Sequence, residues 1–195
     1  MLKSLGTFFL DISEVIVFAI GIFFFVYLLI MRPHKIDGES MMPNYLNAEY
    51  LLTEKVNYYI NDPKRGEVVV LRPPPVVSMN DEFIKRIIAL PGETVMVEEG
   101  KVYVNGKLLK ESYIPSTTRT YGGSFLTDGV SYKVPPAKYF LMGDNREHSS
   151  DSRFWGPVPL NLSPNTDKEG INGRAWLVYW PMKQAGVSKL PSYSF

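Results

Sequence analysis

An uncharged apolar run constrains this sequence more than any other feature. It extends from Val15 to Met31, VIVFAIGIFFFVYLLIM, and its 17 residues include no acidic or basic side chain. As a helix rising about 1.5 Å per residue it spans about 26 Å, close to the hydrocarbon thickness of about 30 Å. A soluble helix keeps a polar face, and the stretch Ile22 to Val26 offers none. We therefore expect residues 1–31 to contain a transmembrane anchor.

A cleavable leader is the main alternative for this run. Such a leader has a shorter apolar region and a small-residue exit site such as Ala-x-Ala. The segment that follows the run, Met31-Arg32-Pro33-His34-Lys35, contains no such site. Lys3 precedes the run and Arg32 follows it, so the positive-inside rule leaves the orientation open.

The overall composition excludes several classes of function. The chain has 21 Lys and Arg against 20 Asp and Glu, and a net charge of +1 gives no electrostatic reason to expect nucleic-acid binding. Because cysteine is absent, disulfides, thiolate metal sites and a cysteine nucleophile are excluded. The two histidines, His34 and His148, do not have a metal-binding spacing, so we expect no metal and no cofactor.

Short apolar runs with a period of two residues follow the anchor and predict a mainly β domain over residues 32–195. Asn105-Gly106 predicts a two-residue hairpin turn, and residues 161–172 read as a long exposed loop. A small accessory β insertion is expected over about 100–136. The clearest strand candidates are Glu67–Leu71, Thr94–Val97, Lys101–Val104 and Trp176–Trp180.

Ser40 is the candidate nucleophile of a hydrolase. It lies in the segment GESMMP, residues 38–43, shortly after the anchor. The surrounding residues match neither the G-x-S-x-G nor the S-x-x-K pattern, so its base must come from elsewhere in the chain. His34 and His148 are candidates, but each has a simpler interpretation, as an interfacial and a solvated side chain respectively.

Lys85 is the other candidate base. Read as a strand, its segment places Phe83, Ile87 and Ala89 on the same face as the lysine. Burial among apolar groups disfavours the charged ammonium and lowers the lysine pKa. Arg86 faces the other way, and an arginine does not lose its proton in proteins. The competing interpretation is a lysine at a sheet edge whose amine extends into water.

A polar segment, GDNREHSSDSR, occupies residues 143–153 between two apolar runs. It is either a solvated turn or an inward-facing network that orients a buried lysine. Its composition is compatible with both.

Together these segments resemble the bacterial type I signal peptidases, which are membrane-anchored serine proteases with a Ser-Lys dyad. The resemblance implies a signal-peptidase-like β-barrel or β-sheet catalytic domain after the anchor. Five motifs carry it, in the order of that family: GESMMP at 38–43, RGEVVV at 65–70, IKRIIALPGE at 84–93, the polar loop at 143–153, and GRA at 173–175 with Trp180-Pro181.

The resemblance also implies roles for individual residues. Ser40 attacks the scissile carbonyl and Lys85 accepts its proton, with the Ser40 backbone N–H as an oxyanion donor. Ser149 hydrogen-bonds the lysine amine and orients it. Asp151 and Arg146 support the polar loop, with Asp151 paired to one of the loop arginines.

The implied substrates are secreted preproteins with small residues, often Ala-x-Ala, before the cut. Small pockets for them are expected near Ile36, Met41, Phe83 and Ile84. The implied location is the plasma membrane, with a single pass, the bilayer as a partner and the catalytic domain on the extracytoplasmic side.

Two positions depart from the family pattern. Gly38 cannot supply the hydroxyl that some relatives place there as an oxyanion donor. Asn44-Tyr45 replaces the usual Thr-Leu, and Tyr45 is expected to reshape a substrate pocket.

Three other functions compete with this interpretation. The main alternative is a catalytically degenerate, membrane-tethered β domain that binds exported chains, which the presence of Ser40, Lys85 and Ser149 disfavours. A self-cleaving Ser-Lys repressor would need a helical DNA-binding domain. A signal peptidase with a histidine base is disfavoured by Lys85.

Overall fold

The computed structural model describes residues 2–163, 168–191 and 193. Its chain divides into two compact units, Met1–Arg32 and Pro33–Phe195.

The first unit is a single helix, α1 (Leu2–Ile30). Within it, Gly6–Phe24 is long and apolar enough, by length and composition, to cross a membrane, and this span is not buried. The predicted apolar helix is confirmed. It begins well before Val15, so that it also contains Asp11 and Glu14.

Strands dominate the second unit, and the prediction of a mainly β protein is confirmed. Short helical segments occur at Val56–Tyr59, α2 (Ser152–Trp155) and Met182–Gln184. The strands in chain order are β1 (Met31–Lys35), β2 (Tyr50–Glu54), β3 (Val68–Arg72), β4 (Phe83–Ala89), β5 (Thr94–Glu98), β6 (Lys101–Val104), β7 (Lys107–Leu108), β8 (Tyr132–Lys133), β9 (Lys138–Met142), β10 (Val158–Pro159), β11 (Gly170–Trp180) and β12 (Gly186–Val187).

The larger sheet has the order β1-β2-β11-β3-β4-β9-β10, with β12 paired to β11. Strand β11 changes register against both β2 and β3, and such bulges bend a strand and increase its twist. Beyond β10, Leu160 forms an isolated parallel bridge with Ile171 of β11, and the Asn161 N–H donates to the Ile171 carbonyl at 2.9 Å. The sheet therefore curls until its β10 end reaches β11.

Strand β3 is buried on both faces. Val68 and Val70 pack in one apolar cluster, and Val69 and Leu71 pack in another. This burial explains why its sequence is a continuous apolar run and not an alternating one. Strand β4 pairs with β3 and places Lys85 opposite Val69, so the lysine begins its path from the middle of the sheet.

A bulge in β4 alters the predicted alternation of its side chains. Phe83 and Ile87 pack against the same apolar cluster, as the strand period predicts. The register against β9 shifts between Ile87 and Ala89, and Ala89 joins Ile88 in a different cluster. The prediction that Ala89 shares the face of Ile87 is therefore wrong, because the extra residue of the bulge interrupts the two-residue period.

The smaller sheet has the order β7-β6-β5-β8. Val95 and Val97 of β5 and Val102 and Val104 of β6 bury its inner face. Asn105 and Gly106 have φ values of 52° and 75°, as a two-residue hairpin turn requires, so the predicted turn is confirmed.

The loop predicted over residues 161–172 is only partly correct. Gly170 begins β11 and Ile171 is fully buried, because the bridge to Leu160 places this end of the segment inside the sheet. Residues 164–167 lie outside the described residues.

Candidate active site

A tight turn presents Ser40. Gly38, two residues earlier, has a φ of +106°, a conformation that favours glycine. Met41 is 1% exposed and fixes the other side of the turn in the apolar core. Asn145 ties the turn to the polar loop, because its N–H donates to the Ser40 carbonyl at 3.0 Å and its side chain to the Glu39 carbonyl at 3.1 Å.

Lys85 reaches Ser40 from β4. Its Nζ donates to the Ser40 Oγ at 2.7 Å and to the Ile84 carbonyl at 2.9 Å. The lysine is 3% exposed, and its Nζ lies 5.2 Å from the centre of the Phe83 ring. The structure therefore brings the predicted nucleophile and the predicted base into direct contact, and it buries the lysine, unlike a side chain that extends into water.

Burial lowers the pKa of the Lys85 amine from its ordinary 10.5 to about 8. Loss of hydration is the largest cause, because it disfavours the charged form. The negative charges of Asp151 and Asp144 oppose it and raise the pKa, while Arg153 lowers it further. Near pH 8 about half of the molecules then hold a neutral amine, which can accept a proton.

The polar loop is an inward-facing network. Asp151 accepts from Arg153 Nε and Nη2, each at 2.8 Å, and also from the Arg153 N–H, where it caps α2. Its Oδ2 accepts the Gly143 N–H at 3.0 Å. Arg153 Nη2 donates to the Arg146 carbonyl at 2.8 Å, so one buried ion pair holds both ends and the middle of the loop.

Arg146 fixes the same loop to the residues between β7 and β8, called the accessory segment below. Its side chain is fully buried, and its Nε donates to the Gly143 carbonyl at 3.0 Å. The guanidinium forms an ion pair with Glu111 and donates to Thr120 Oγ1 at 2.7 Å. Tyr113 OH lies 3.2 Å from Arg146 Nη2. Sequence reasoning did not identify these three partners of Arg146, because nothing in the local pattern of the accessory segment marks them.

Arg86 and Asp144 form another buried ion pair that sequence reasoning missed. The Arg86 guanidinium lies over the Tyr113 ring, 4.1 Å from its centre, and donates to the Gly66 carbonyl at 2.8 Å. Arg86 shares none of these partners with Lys85, which agrees with the prediction that the two side chains face opposite ways.

Comparison with known proteins decides the family. The family model "Signal peptidase, peptidase S26" matches residues 9–180. The chain belongs to the signal peptidase family. The resemblance found in its motifs is thereby confirmed.

Two relatives agree with the family assignment. A signal peptidase I of Leptolyngbya laminosa is 38% identical over 184 residues, which cover 91% of this chain and 81% of the relative. A signal peptidase I of Bacillus amyloliquefaciens is 35% identical over 183 residues, 92% of both proteins. A crystal structure of a signal peptidase I from Enterococcus faecalis V583 aligns at 26% identity with a TM-score of 0.40, covering 59% of this chain and 97% of that one.

Ser149 does not make the hydrogen bond that was expected of it. Its hydroxyl is buried, but within the part of the chain that the structure describes it has no hydrogen-bond partner, so the expected bond to the Lys85 amine is absent. Gly143 packs so closely against it that a Cβ there would overlap both the Ser149 side chain and the Ser40 carbonyl. Ser149 therefore lies beside the serine turn, with the Lys85 amine bonded to Ser40 and Ile84.

The four residues expected to line a signal peptidase pocket divide between two places. Ile36, Met41 and Ile84 pack in one apolar cluster, and the first two are almost fully buried. Phe83 packs against a different cluster, and its ring lies beside the Lys85 amine.

The residues that depart from the family pattern each fit their surroundings in the structure. A Cβ at Gly38 would meet no atom within 4 Å, but the positive φ disfavours a side chain there. Tyr45 is buried in the cluster of Ile36 and Met41, and its OH lies 2.5 Å from Ser188 Oγ. The Asn44 side chain donates to Asp144 Oδ2 at 2.8 Å.

His34 has its own partners and His148 is exposed. His34 contacts Thr53 Oγ1 at 2.9 Å and Glu82 at 3.0 Å, and the contact lowers the pKa of the Glu82 carboxyl. His148 is exposed in the polar loop. Across residues 2–163, 168–191 and 193, no group of three or more His, Cys, Asp or Glu side chains could hold a metal ion.

Proposed function

We propose that this protein is a membrane-anchored serine endopeptidase that removes signal peptides from secreted preproteins, with Ser40 as the nucleophile and Lys85 as the general base. The observation that carries the proposal is the 2.7 Å contact between Ser40 Oγ and a buried Lys85 amine, in a chain of the signal peptidase family. The relatives named signal peptidase I support the same substrate class.

The geometry supports a two-step mechanism. Ser40 Oγ bonds to the scissile carbonyl carbon while its proton passes to the neutral Lys85 amine. The ammonium then donates that proton to the departing nitrogen, the C–N bond breaks, and the acyl group stays on Ser40. A water molecule gives a proton to Lys85, attacks the ester and releases the product, and the proton returns to Ser40.

Lys85 is held ready for both directions of proton transfer. The Ile84 carbonyl accepts a hydrogen bond from Lys85 Nζ at 2.9 Å and keeps the amine directed at Ser40. Asp151 and Asp144 stabilise the ammonium through their charge, which limits how far burial lowers the pKa. The Ser40 backbone N–H is the proposed oxyanion donor, a group that typically lowers a barrier by about 2.7–4 kcal/mol.

The proposed pockets favour small residues before the cut. Ile36 and Met41 belong to the apolar cluster next to the serine turn, and the proposed pockets lie against it, with room for no more than about a methyl group. Such a surface rejects larger residues by clash, because one methylene alone changes binding by only about 1–3 kcal/mol.

The helix α1 is the proposed anchor in the plasma membrane, and the bilayer is the proposed partner that it binds. We place a single pass there, with the second unit on the extracytoplasmic side, where preproteins emerge. The degenerate alternative, a tethered β domain that binds exported chains, is not favoured, because Ser40 and Lys85 are in contact.

The direct test incubates the full chain in detergent micelles with a preprotein that has Ala-x-Ala before its cut, and identifies the new amino terminus by mass spectrometry. Ser40→Ala and Lys85→Ala should each lose at least about 99% of the cleavage rate. Ser131→Ala, just before β8, and Lys133→Ala, in β8, change exposed residues; they are the matched controls and should cleave normally. Rates of Ser40→Ala or Lys85→Ala close to those of the controls would remove that residue from the mechanism.

A further inference from the structure

A cavity of about 390 Å³ lies beside the serine turn, and none of Ile36, Met41, Phe83 and Ile84 lines it. Its walls include Met42 and Pro43 of the turn, Asn145 and Glu147 of the polar loop, and Thr117–Thr118 of the accessory segment. Its volume falls within the range of about 300–1,000 Å³ that is typical of ligand sites. It is far larger than a methyl group needs, so it does not suit the small residues before the cut.

The cavity is connected to the nucleophile through Asn145. This residue lines the cavity, and its N–H donates to the Ser40 carbonyl at 3.0 Å. The two consecutive methionines after Ser40 differ in their exposure. Met41 is 1% exposed and packs with Ile36, whereas Met42 is 37% exposed and lines the cavity. Of these two methionines, Met42 is the one that offers surface to a peptide crossing Ser40, and that surface belongs to the cavity.

The charge of the cavity comes mainly from Glu147. Asp144 and Arg146 also line it, but Asp144 is paired with Arg86, and Arg146 is paired with Glu111. Glu147 is exposed and, among the described residues, has no ion-pair partner. The hydroxyls of Thr117 and Thr118 are the nearby neutral acceptors of hydrogen bonds.

We propose that this cavity is a subsite for the chain after the scissile bond, and that it takes a cationic or other hydrogen-bond-donating side chain from the first residues of the mature protein. The proposal rests on the proposed function, since it needs a peptide cut at Ser40. It also gives the accessory segment a role, because Thr117–Thr118 line the cavity together with Met42.

The test uses synthetic peptides with Ala-x-Ala before the cut, in which each of the first three positions after the cut is Lys, Gln or Glu in turn. The readout is kcat/KM of the full chain in micelles. At one of these positions Lys should exceed Gln by about threefold at low salt, as an exposed ion pair predicts, and the preference should fall as salt is raised. Glu147→Gln should abolish this preference.

Two further variants make the test specific. Glu98→Gln removes an exposed carboxylate at the end of β5 and is the matched control, which should keep the wild-type preference. Thr118→Trp should fill the cavity and lower kcat/KM for Lys at the selected position more than for an additional peptide with Gly there. A Lys preference unchanged in Glu147→Gln, or lost equally in Glu98→Gln, would overturn the subsite. Failure of the wild type to cleave any of the peptides would instead overturn the proposed function, and the subsite with it.

Discussion

Arg86 and Asp144 face each other as a two-point ion pair, with Nε 2.7 Å from Oδ1 and Nη2 2.6 Å from Oδ2. Their side chains are 3% and 1% exposed. Arg86 follows Lys85 on β4, and Asp144 follows Gly143 at the start of the polar loop. The pair therefore fastens the strand that carries the proposed base to the loop that surrounds it.

Removing one member of this pair should destabilise the protein strongly. Asp144→Asn leaves the Arg86 charge buried without its partner, which typically costs about 3–5 kcal/mol of unfolding free energy. The double variant Arg86→Met with Asp144→Asn should lose less than the single one. Urea denaturation of the three proteins measures this, with Glu98→Gln as an exposed control. A single variant as stable as the control would show that the pair contributes nothing.

The cleavage rate should rise with pH through the titration of Lys85. Because the pKa of this amine is lowered to about 8, the neutral form is about 1% of the total at pH 6 and about 90% at pH 9. We expect kcat/KM to increase about tenfold per unit between pH 6 and 7 and to level off above pH 9. A peptide assay in buffers of constant ionic strength measures this profile. A flat rate from pH 6 to 9 is incompatible with Lys85 as the base.

Lys85→Met should be inactive yet more stable than the wild type at neutral pH. Below pH 8 the lysine is charged in both the folded and the unfolded state, so the folded protein bears the full penalty of the buried ammonium, roughly 3 kcal/mol. Between about pH 8 and 10.5 the unfolded chain binds more protons at this site, so wild-type stability rises with pH.

The stability difference between Lys85→Met and the wild type should accordingly be largest at pH 7 and shrink towards pH 10. Urea denaturation at pH 7, 8.5 and 10 measures it. A constant difference across these three pH values would contradict the lowered pKa, whichever protein is the more stable.

Ser149→Ala should show whether Ser149 only packs beside the serine turn or also orients the Lys85 amine. The Ser149 hydroxyl is buried without a hydrogen-bond partner among the described residues, so its removal should leave the unfolding free energy unchanged or raise it by about 1 kcal/mol. If the hydroxyl rotates to the Lys85 amine during the reaction, kcat should fall about tenfold and the apparent pKa of the pH profile should shift. Unchanged kcat and pKa would leave Ser149 with a packing role alone.

The sequence predicted local features of the fold well. The alternation in β5 and β6 and the turn at Asn105-Gly106 follow from side-chain period and backbone preference, which are properties of neighbouring residues. The bulge after Ile87 was not predictable in this way, because its position depends on pairing with β9.

The site was less accessible to sequence reasoning. Ser40 and Lys85 are 45 positions apart, and no periodicity links them, so they were paired through the family resemblance. The pairs Arg146–Glu111 and Arg86–Asp144, separated by 35 and 58 positions, were missed for the same physical reason. Long-range contacts depend on how the sheet curls, and local patterns do not encode the curl.

The pairing of β4 with β3 also has a chemical consequence. Lys85 lies opposite Val69 and Arg86 opposite Val68, so a slip of one position would exchange the two side chains between the faces of the sheet. Ser40 would then meet a guanidinium, which holds its proton at any pH a protein tolerates, and Asp144 would meet an amine that makes no two-point contact. The alignment of two strands thus decides which of two adjacent basic residues can take part in proton transfer.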